Sequence, residues 1–220
     1  MIYRDVCCLG HTSLLFLPKN TIVINHFTKI IDKADIIKYN YKKQREDKAM
    51  SNLTIRFYSN CLRRYTTFQM YIPCDIREDW GQTETRYSEN STKTLFLLHG
   101  FSGDAGNWVP EYLSDKYNFA VVIPSGENSF WLDGISTGHQ FCKFVGEELI
   151  GYVRRVFRLA KNKNETFIMG MSMGGFGALH TALAYPDTFG KTAALSSALI
   201  VHEVAGMTEG KGNPIANYEY

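Results

Sequence analysis

The sequence predicts an α/β protein built on a mostly parallel, twisted sheet with helices on both faces. Three short apolar runs, at residues 94–98 (Thr-Leu-Phe-Leu-Leu), 119–123 (Phe-Ala-Val-Val-Ile) and 166–169 (Thr-Phe-Ile-Met), are of the kind that fill strands buried on both sides. Between the second and third, residues 140–159 carry Phe141, Phe144, Val145, Leu149, Val153, Val156 and Phe157 close to a 3.6-residue period, which reads as an amphipathic helix crossing over the sheet. Turn residues bound each run, and strands alternate with helix-like stretches, as in α/β proteins.

Taken in order along the chain, the first 49 residues are the weakest part. Short apolar clusters at 14–17 and 21–24 alternate with a charged run at 38–48, and no period persists across them. This block holds nine Lys and Arg against five Asp and Glu, leaving 15 basic and 17 acidic residues for the rest of the 220-residue chain. The body therefore lacks the basic excess of a nucleic-acid-binding surface. Arg45-Glu46-Asp47 can be encoded as AGG-GAG-GAT, a purine-rich ribosome-binding signal shortly before Met50. Residues 1–49 are accordingly expected to be a poorly structured leader, untranslated in the native protein; the alternative is a flexible basic arm. The uncharged stretch at 6–18 is too short to span a bilayer and has no signal-peptide flanks. Five cysteines (Cys7, Cys8, Cys61, Cys74, Cys142) without metal-ligand spacing read as reduced thiols, and the expected location is cytoplasmic.

From residue 50 the chain reads as one domain. Residues 53–58 and 65–72 are expected as two antiparallel strands, 78–92 as a polar connection, and 192–199 as a further strand of the sheet. With 45% hydrophobic and 21% charged side chains, the composition suits a folded domain with a sizeable core.

The chemistry concentrates at two places. Gly170-Met171-Ser172-Met173-Gly174 matches G-x-S-x-G between the run 166–169 and a helix-like segment at 175–185. A serine nucleophile needs a sharp strand-to-helix turn, and glycines two residues to either side relieve the crowding there. The helix start also directs its amides at the developing negative charge. His99-Gly100-Phe101-Ser102-Gly103, directly after the run 94–98, is placed like the oxyanion loop of α/β-hydrolases. The backbone amides of Phe101 and Met173 are the expected oxyanion donors, and His99 is expected to hold its loop by hydrogen bonds.

Residues 95–107 (Leu-Phe-Leu-Leu-His-Gly-Phe-Ser-Gly-Asp-Ala-Gly-Asn), 124–133 (Pro-Ser-Gly-Glu-Asn-Ser-Phe-Trp-Leu-Asp) and 167–186 around Ser172 resemble the tributyrin esterase group of the esterase D and S-formylglutathione hydrolase family. The resemblance covers residues 51–199. It implies the α/β-hydrolase fold and a cytoplasmic serine carboxylesterase for short-chain acyl esters, with no metal or organic cofactor; the charge balance and the short uncharged stretch at 6–18 give no nucleic-acid partner and no membrane. Trp108, Phe130 and Trp131, with Phe101, become candidate walls of the acyl and alcohol pockets. Homo-oligomerisation stays open.

In this fold the acid and histidine follow the nucleophile. Only 48 residues follow Ser172, holding His180, His202, Asp187, Glu203, Glu209 and Glu219. His180 lies two helical turns beyond the nucleophile and Asp187 past the end of that helix; His202 with Glu203 follows the run 192–199. The family places its acid and base further along. Residues 50–220 are therefore expected to be a partial domain, truncated or frame-shifted, without its last strands or triad partners, with a sheet edge left uncovered. Two other enzymatic readings keep the mechanism and change the substrate, to S-formylglutathione or to an acetylated or feruloylated sugar. A last reading is an inactive product or a non-catalytic binding module on the same fold.

Overall fold

The computed structural model describes residues 51–73, 91–106, 109, 111–200 and 208, and the backbone of two strands at 14–17 and 21–24. The strands are β1 (Leu14–Leu17), β2 (Thr21–Ile24), β3 (Ser51–Ser59), β4 (Arg64–Ile72), β5 (Lys93–Leu98), β6 (Phe119–Pro124), β7 (Thr166–Met171) and β8 (Lys191–Leu195). They form one sheet in the order β1-β2-β8-β7-β5-β6-β4-β3. Neighbours from β2 to β6 run parallel, whereas β1, at one end, and β4 and β3, at the other, join by antiparallel pairing.

Helix α1 (Tyr112–Tyr117) connects β5 to β6. A longer helix connects β6 to β7 in three parts: α2 (Phe141–Lys143), a π-helical turn (Phe144–Leu149) and α3 (Ile150–Phe157). Helix α4 (Met173–Ala184) connects β7 to β8. The expected crossover helix is thus present, shorter at both ends and widened at its centre. α3 stops at Arg158, whose φ of 58° turns the chain out of the helix.

Strand alternation puts apolar side chains on both faces. Phe68, Met70, Phe96, Leu98, Ala120 and Val122 share one buried cluster with Phe144, Leu149 and Val153 of the crossover helix. Tyr71, Leu97, Val121 and Ile123, one register position away, form a second cluster with Val109. α4 packs on β5, β7 and β8, and α1 against β6 and β4. Apolar runs without polar alternation therefore mark strands covered on both sides, as the sequence suggested.

The structure differs from expectation at two edges. The apolar clusters of the leader form a hairpin, and β2 pairs in parallel along β8, so the flank of β8 is not bare. The strand expected at 192–199 ends at Leu195. There Ser196 adopts a φ of 43°, and the Leu195 carbonyl accepts a hydrogen bond from Ser172 N–H at 2.9 Å, so the end of β8 serves the turn after β7.

Candidate active site

The chain order dictates where a cleft can form. From β5 the chain crosses to β6 on one side, and from β7 it crosses to β8 on the other, although β5 and β7 are neighbours. Loops leaving their carboxyl ends therefore diverge, and an open parallel sheet binds its ligands at such a switch point. Both sequence motifs lie there: residues 99–106 follow β5, and Ser172 follows β7.

Ser172 sits between β7 and α4 with φ 55° and ψ −117°, a conformation costly for any side chain. Its surroundings impose it. The Ser172 carbonyl accepts from Phe176 N–H at 3.1 Å and Ala198 N–H at 3.0 Å, while its own N–H is held by Leu195. The flanking glycines are needed because the turn is so tight: a methyl on Gly170 would run into the Gly174 backbone, and one on Gly174 into the Leu98 carbonyl. Ser172 is half-buried, and Met173 begins α4, where the first helical amides have no acceptor within the helix.

On the other side, Gly100 stands beside Ser172. A methyl placed on it would lie 3.4 Å from the Met171 carbonyl and 3.6 Å from Ser172 Cβ. The Gly100 carbonyl accepts from Gly103 N–H at 3.0 Å and from His99 Nδ1–H at 2.8 Å. Because the peptide is planar and trans, a fixed Gly100 carbonyl also fixes the Phe101 N–H in the opposite direction. His99 Nε2 accepts from Gly126 N–H at 2.8 Å, so the ring is neutral, with its proton on Nδ1. Burial lowers its pKa below the usual 6.5, outweighing the Gly100 hydrogen bond and the charge of Asp104. With both nitrogens committed, His99 holds the loop.

The other expected site residues divide. Phe101 is 42% exposed at the cleft and packs on Phe130, ring centroids 6.2 Å apart. Phe130 is buried and also meets Phe176 of α4. Trp131 is corrected from a pocket wall to an interior residue: it is 0% exposed, its ring wedged against Gly126 and Gly177. Trp108 lies outside the described residues, as do His202 and Glu203. His180 is on α4, its ring stacked on Phe176 at 6.0 Å, and Asp187 is exposed beyond the helix end opposite Ser172. Sequence reasoning missed Asn128, whose Oδ1 accepts from Ser102 N–H at 2.7 Å and ties the loop after β6 to the loop after β5. Among the described residues no group of three His, Cys, Asp or Glu could hold a metal ion, and no helix is long and apolar enough to cross a membrane.

Residues 59–207 match the Esterase family model, described as "Putative esterase". An acetyl esterase of Caldicellulosiruptor saccharolyticus is 43% identical over 175 residues, 78% of this chain and 65% of that protein. The substrate-bound structure of the fluorophosphonate-binding serine hydrolase F of Staphylococcus aureus superposes with a TM-score of 0.63 at 23% identity, covering 78% of this chain and 66% of that one. The S-formylglutathione hydrolase of Staphylococcus aureus gives 0.58 at 25% identity, covering 74% and 64%. This chain thus spans just under two thirds of the length of each of these relatives. The sheet and its crossovers are those of the α/β-hydrolase fold. The chain belongs to the esterase family that its residues 59–207 match.

Proposed function

We propose that the protein is a serine carboxylesterase of the tributyrin esterase group, hydrolysing short-chain acyl esters, acetyl esters first among them, through an acyl-enzyme on Ser172. The observation that carries this reading is the backbone of Ser172 itself: φ 55° and ψ −117° on a strand-to-helix turn, held from three sides by hydrogen bonds. Strain of this kind persists where the surroundings over-determine it, and it projects the hydroxyl into the cleft. The acetyl esterase relative at 43% identity supports the acyl class.

In this mechanism the Ser172 oxygen attacks the ester carbonyl while a general base, the histidine that the family resemblance places after the nucleophile in the chain, takes the hydroxyl proton. The Phe101 and Met173 N–H groups receive the negative charge that forms on the carbonyl oxygen. The alcohol leaves with that proton, and water, deprotonated by the same base, releases the acid. His99 is not that base, because both of its nitrogens are engaged in the loop. Phe101, exposed at the rim, and Phe130 behind it favour an apolar acyl group over a charged one. We take the enzyme to be cytoplasmic; the free, buried thiols of Cys61 and Cys142 support a reducing compartment.

A fluorophosphonate reagent with intact-mass detection tests the reading. The expected result is one adduct, mapped to Ser172 by peptide sequencing and absent in Ser172→Ala. An unlabelled parent, or an adduct that survives the substitution, overturns it. Matched p-nitrophenyl acetate, p-nitrophenyl butyrate, S-formylglutathione and feruloyl-sugar substrates then rank the acyl classes, and a faster thioester reaction would move the assignment to S-formylglutathione.

A further inference from the structure

The two oxyanion donors come from segments far apart in sequence, the loop after β5 and the first turn of α4. A third segment touches both. Trp131 lies in the loop after β6 and is fully buried. Its Nε1–H donates to the His99 carbonyl at 3.2 Å, and its ring stands edge-on to the His99 imidazole, centroids 5.0 Å apart at 62°. On its other side it meets α4 at Gly177, where an added methyl would lie only 2.5 Å from Cβ, Cγ and Cδ1 of the tryptophan. The indole therefore spans from the first residue of the oxyanion loop to the second turn of the nucleophile helix.

The loop that carries it is braced at each step. Ser129 Oγ accepts from Trp131 N–H at 3.0 Å and donates to the Gly126 carbonyl at 2.6 Å. Gly126 N–H holds His99 Nε2, and Asn128 Oδ1 holds Ser102 N–H. Within these few residues Glu127, Phe130 and Trp131 all take positive φ, at 51°, 52° and 59°. Each such residue costs on the order of 1 kcal/mol and is kept only where its surroundings impose it.

We propose that Trp131 is a positioning residue for the ester reaction, setting the separation between the oxyanion loop and the nucleophile helix and so the spacing of the Phe101 and Met173 N–H donors. This rests on the reading of Ser172 as the nucleophile. Oxyanion donors act over tenths of an ångström, and a misplacement near 1 Å costs about 100-fold in rate. Trp131→Phe keeps a ring against Gly177 but removes the donor to the His99 carbonyl. Gly177→Ala pushes on the same strut from the opposite side.

The test measures fluorophosphonate labelling rates at Ser172 and, on p-nitrophenyl acetate, kcat and KM separately. Trp131→Phe is expected to lower the labelling rate and kcat by about 10- to 100-fold with KM changed by less than about threefold, the mark of an interaction realised in the transition state. Gly177→Ala should give the same split. A labelling rate and kcat equal to those of the parent overturn the proposal, as does a loss confined to thermal stability. Crystal structures of the parent and of Trp131→Phe give a readout that does not depend on reactivity. A lengthened distance from the His99 carbonyl to Gly177 Cα is expected, and an unchanged one refutes the proposal even if the parent proves unreactive. An unlabelled parent refutes the reading of Ser172 and leaves this distance to decide the role of Trp131.

Discussion

Glu148 offers the sharpest test of what holds the fold together. It sits in the π-helical turn of the crossover helix, and its carboxylate collects four donors from the end of β3 and the turn after it: Ser59 Oγ at 2.5 Å, Asn60 N–H at 2.6 Å, Asn60 Nδ2 at 3.4 Å and Cys61 N–H at 3.2 Å. Ser59 Oγ in turn accepts from Leu62 N–H at 3.0 Å. Asn60 is exposed, so water replaces the carboxylate there after truncation. Ser59 and Cys61 are 0% and 8% exposed and have no such recourse. Stranding a buried donor costs about 1–3 kcal/mol, so Glu148→Ala, which strands two, should lose about 2–6 kcal/mol in all. At this chain length that corresponds to a fall of about 4 to 24 °C in Tm. Glu148→Gln keeps one acceptor oxygen and should lose roughly half as much.

The charge adds a pH signature. Burial acts to raise the Glu148 pKa, but the hydrogen bonds from Ser59, Asn60 and Cys61 outweigh it and hold the group below the usual 4.5. The unfolded chain therefore takes up this proton first. The stabilisation is complete above pH 4.5 and is lost as pH falls through the lower folded-state pKa. Calorimetric melting curves of the parent and Glu148→Gln should accordingly converge as pH drops below 4.5. An alanine variant melting within about 1 °C of the parent refutes the accounting, and so does a parent-to-Gln gap that persists undiminished in acid.

Two further outcomes follow from the same geometry. Gly174→Ala drives a methyl into the Leu98 carbonyl and to 2.5 Å from the His99 carbonyl, both rigid backbone; it should lower stability by more than about 3 kcal/mol, read by urea denaturation, and a neutral result would show that α4 does not approach β5 so closely. His180 has its pKa lowered by burial, against the opposing charge of Asp133, so its contribution to stability is present above pH 6.5 and is lost as pH falls from there toward its lower folded-state value. His180→Leu should flatten the decline in Tm below pH 6.5, and an unchanged slope would remove His180 from it.

The sequence was most legible where one segment carries its own signal. The central strands announce themselves as apolar runs because both of their faces are buried, and Ser172 because a strained turn needs glycines at fixed offsets. The two motifs at 99–103 and at Ser172 meet at the switch point because strand order places β5 beside β7. The leader was less legible. A four-residue run is too short to display a period, and Leu14–Leu17 and Thr21–Ile24 become strands only through pairing with each other and with β8. The π-helical turn was invisible for a related reason: its apolar positions mimic a 3.6 period, and what packs on it, the Tyr185 ring against Gly146, comes from far along the chain.

Trp131 shows most plainly why the rest could not be read. An aromatic residue in a loop beside a nucleophile motif suggests a pocket wall, and nothing local distinguishes a ring that faces substrate from one that faces the interior. What decides it is two glycine-sized gaps, at Gly126 in the same loop and at Gly177 on a distant helix, and a carbonyl in need of a donor at His99. The same holds for Asn128 and Glu148, each an ordinary polar residue by composition whose role is set by backbone amides far along the chain. Chemistry that depends on residue type at fixed spacing is written locally. The bracing that gives this chemistry its geometry consists of long-range backbone hydrogen bonds, which any suitable side chain arriving at that point can make, so it leaves no pattern in a single sequence. The consequence is directional: substitutions at the motif should abolish the reaction outright, whereas those at the braces should degrade it by degrees, and the second class can be chosen only from the fold.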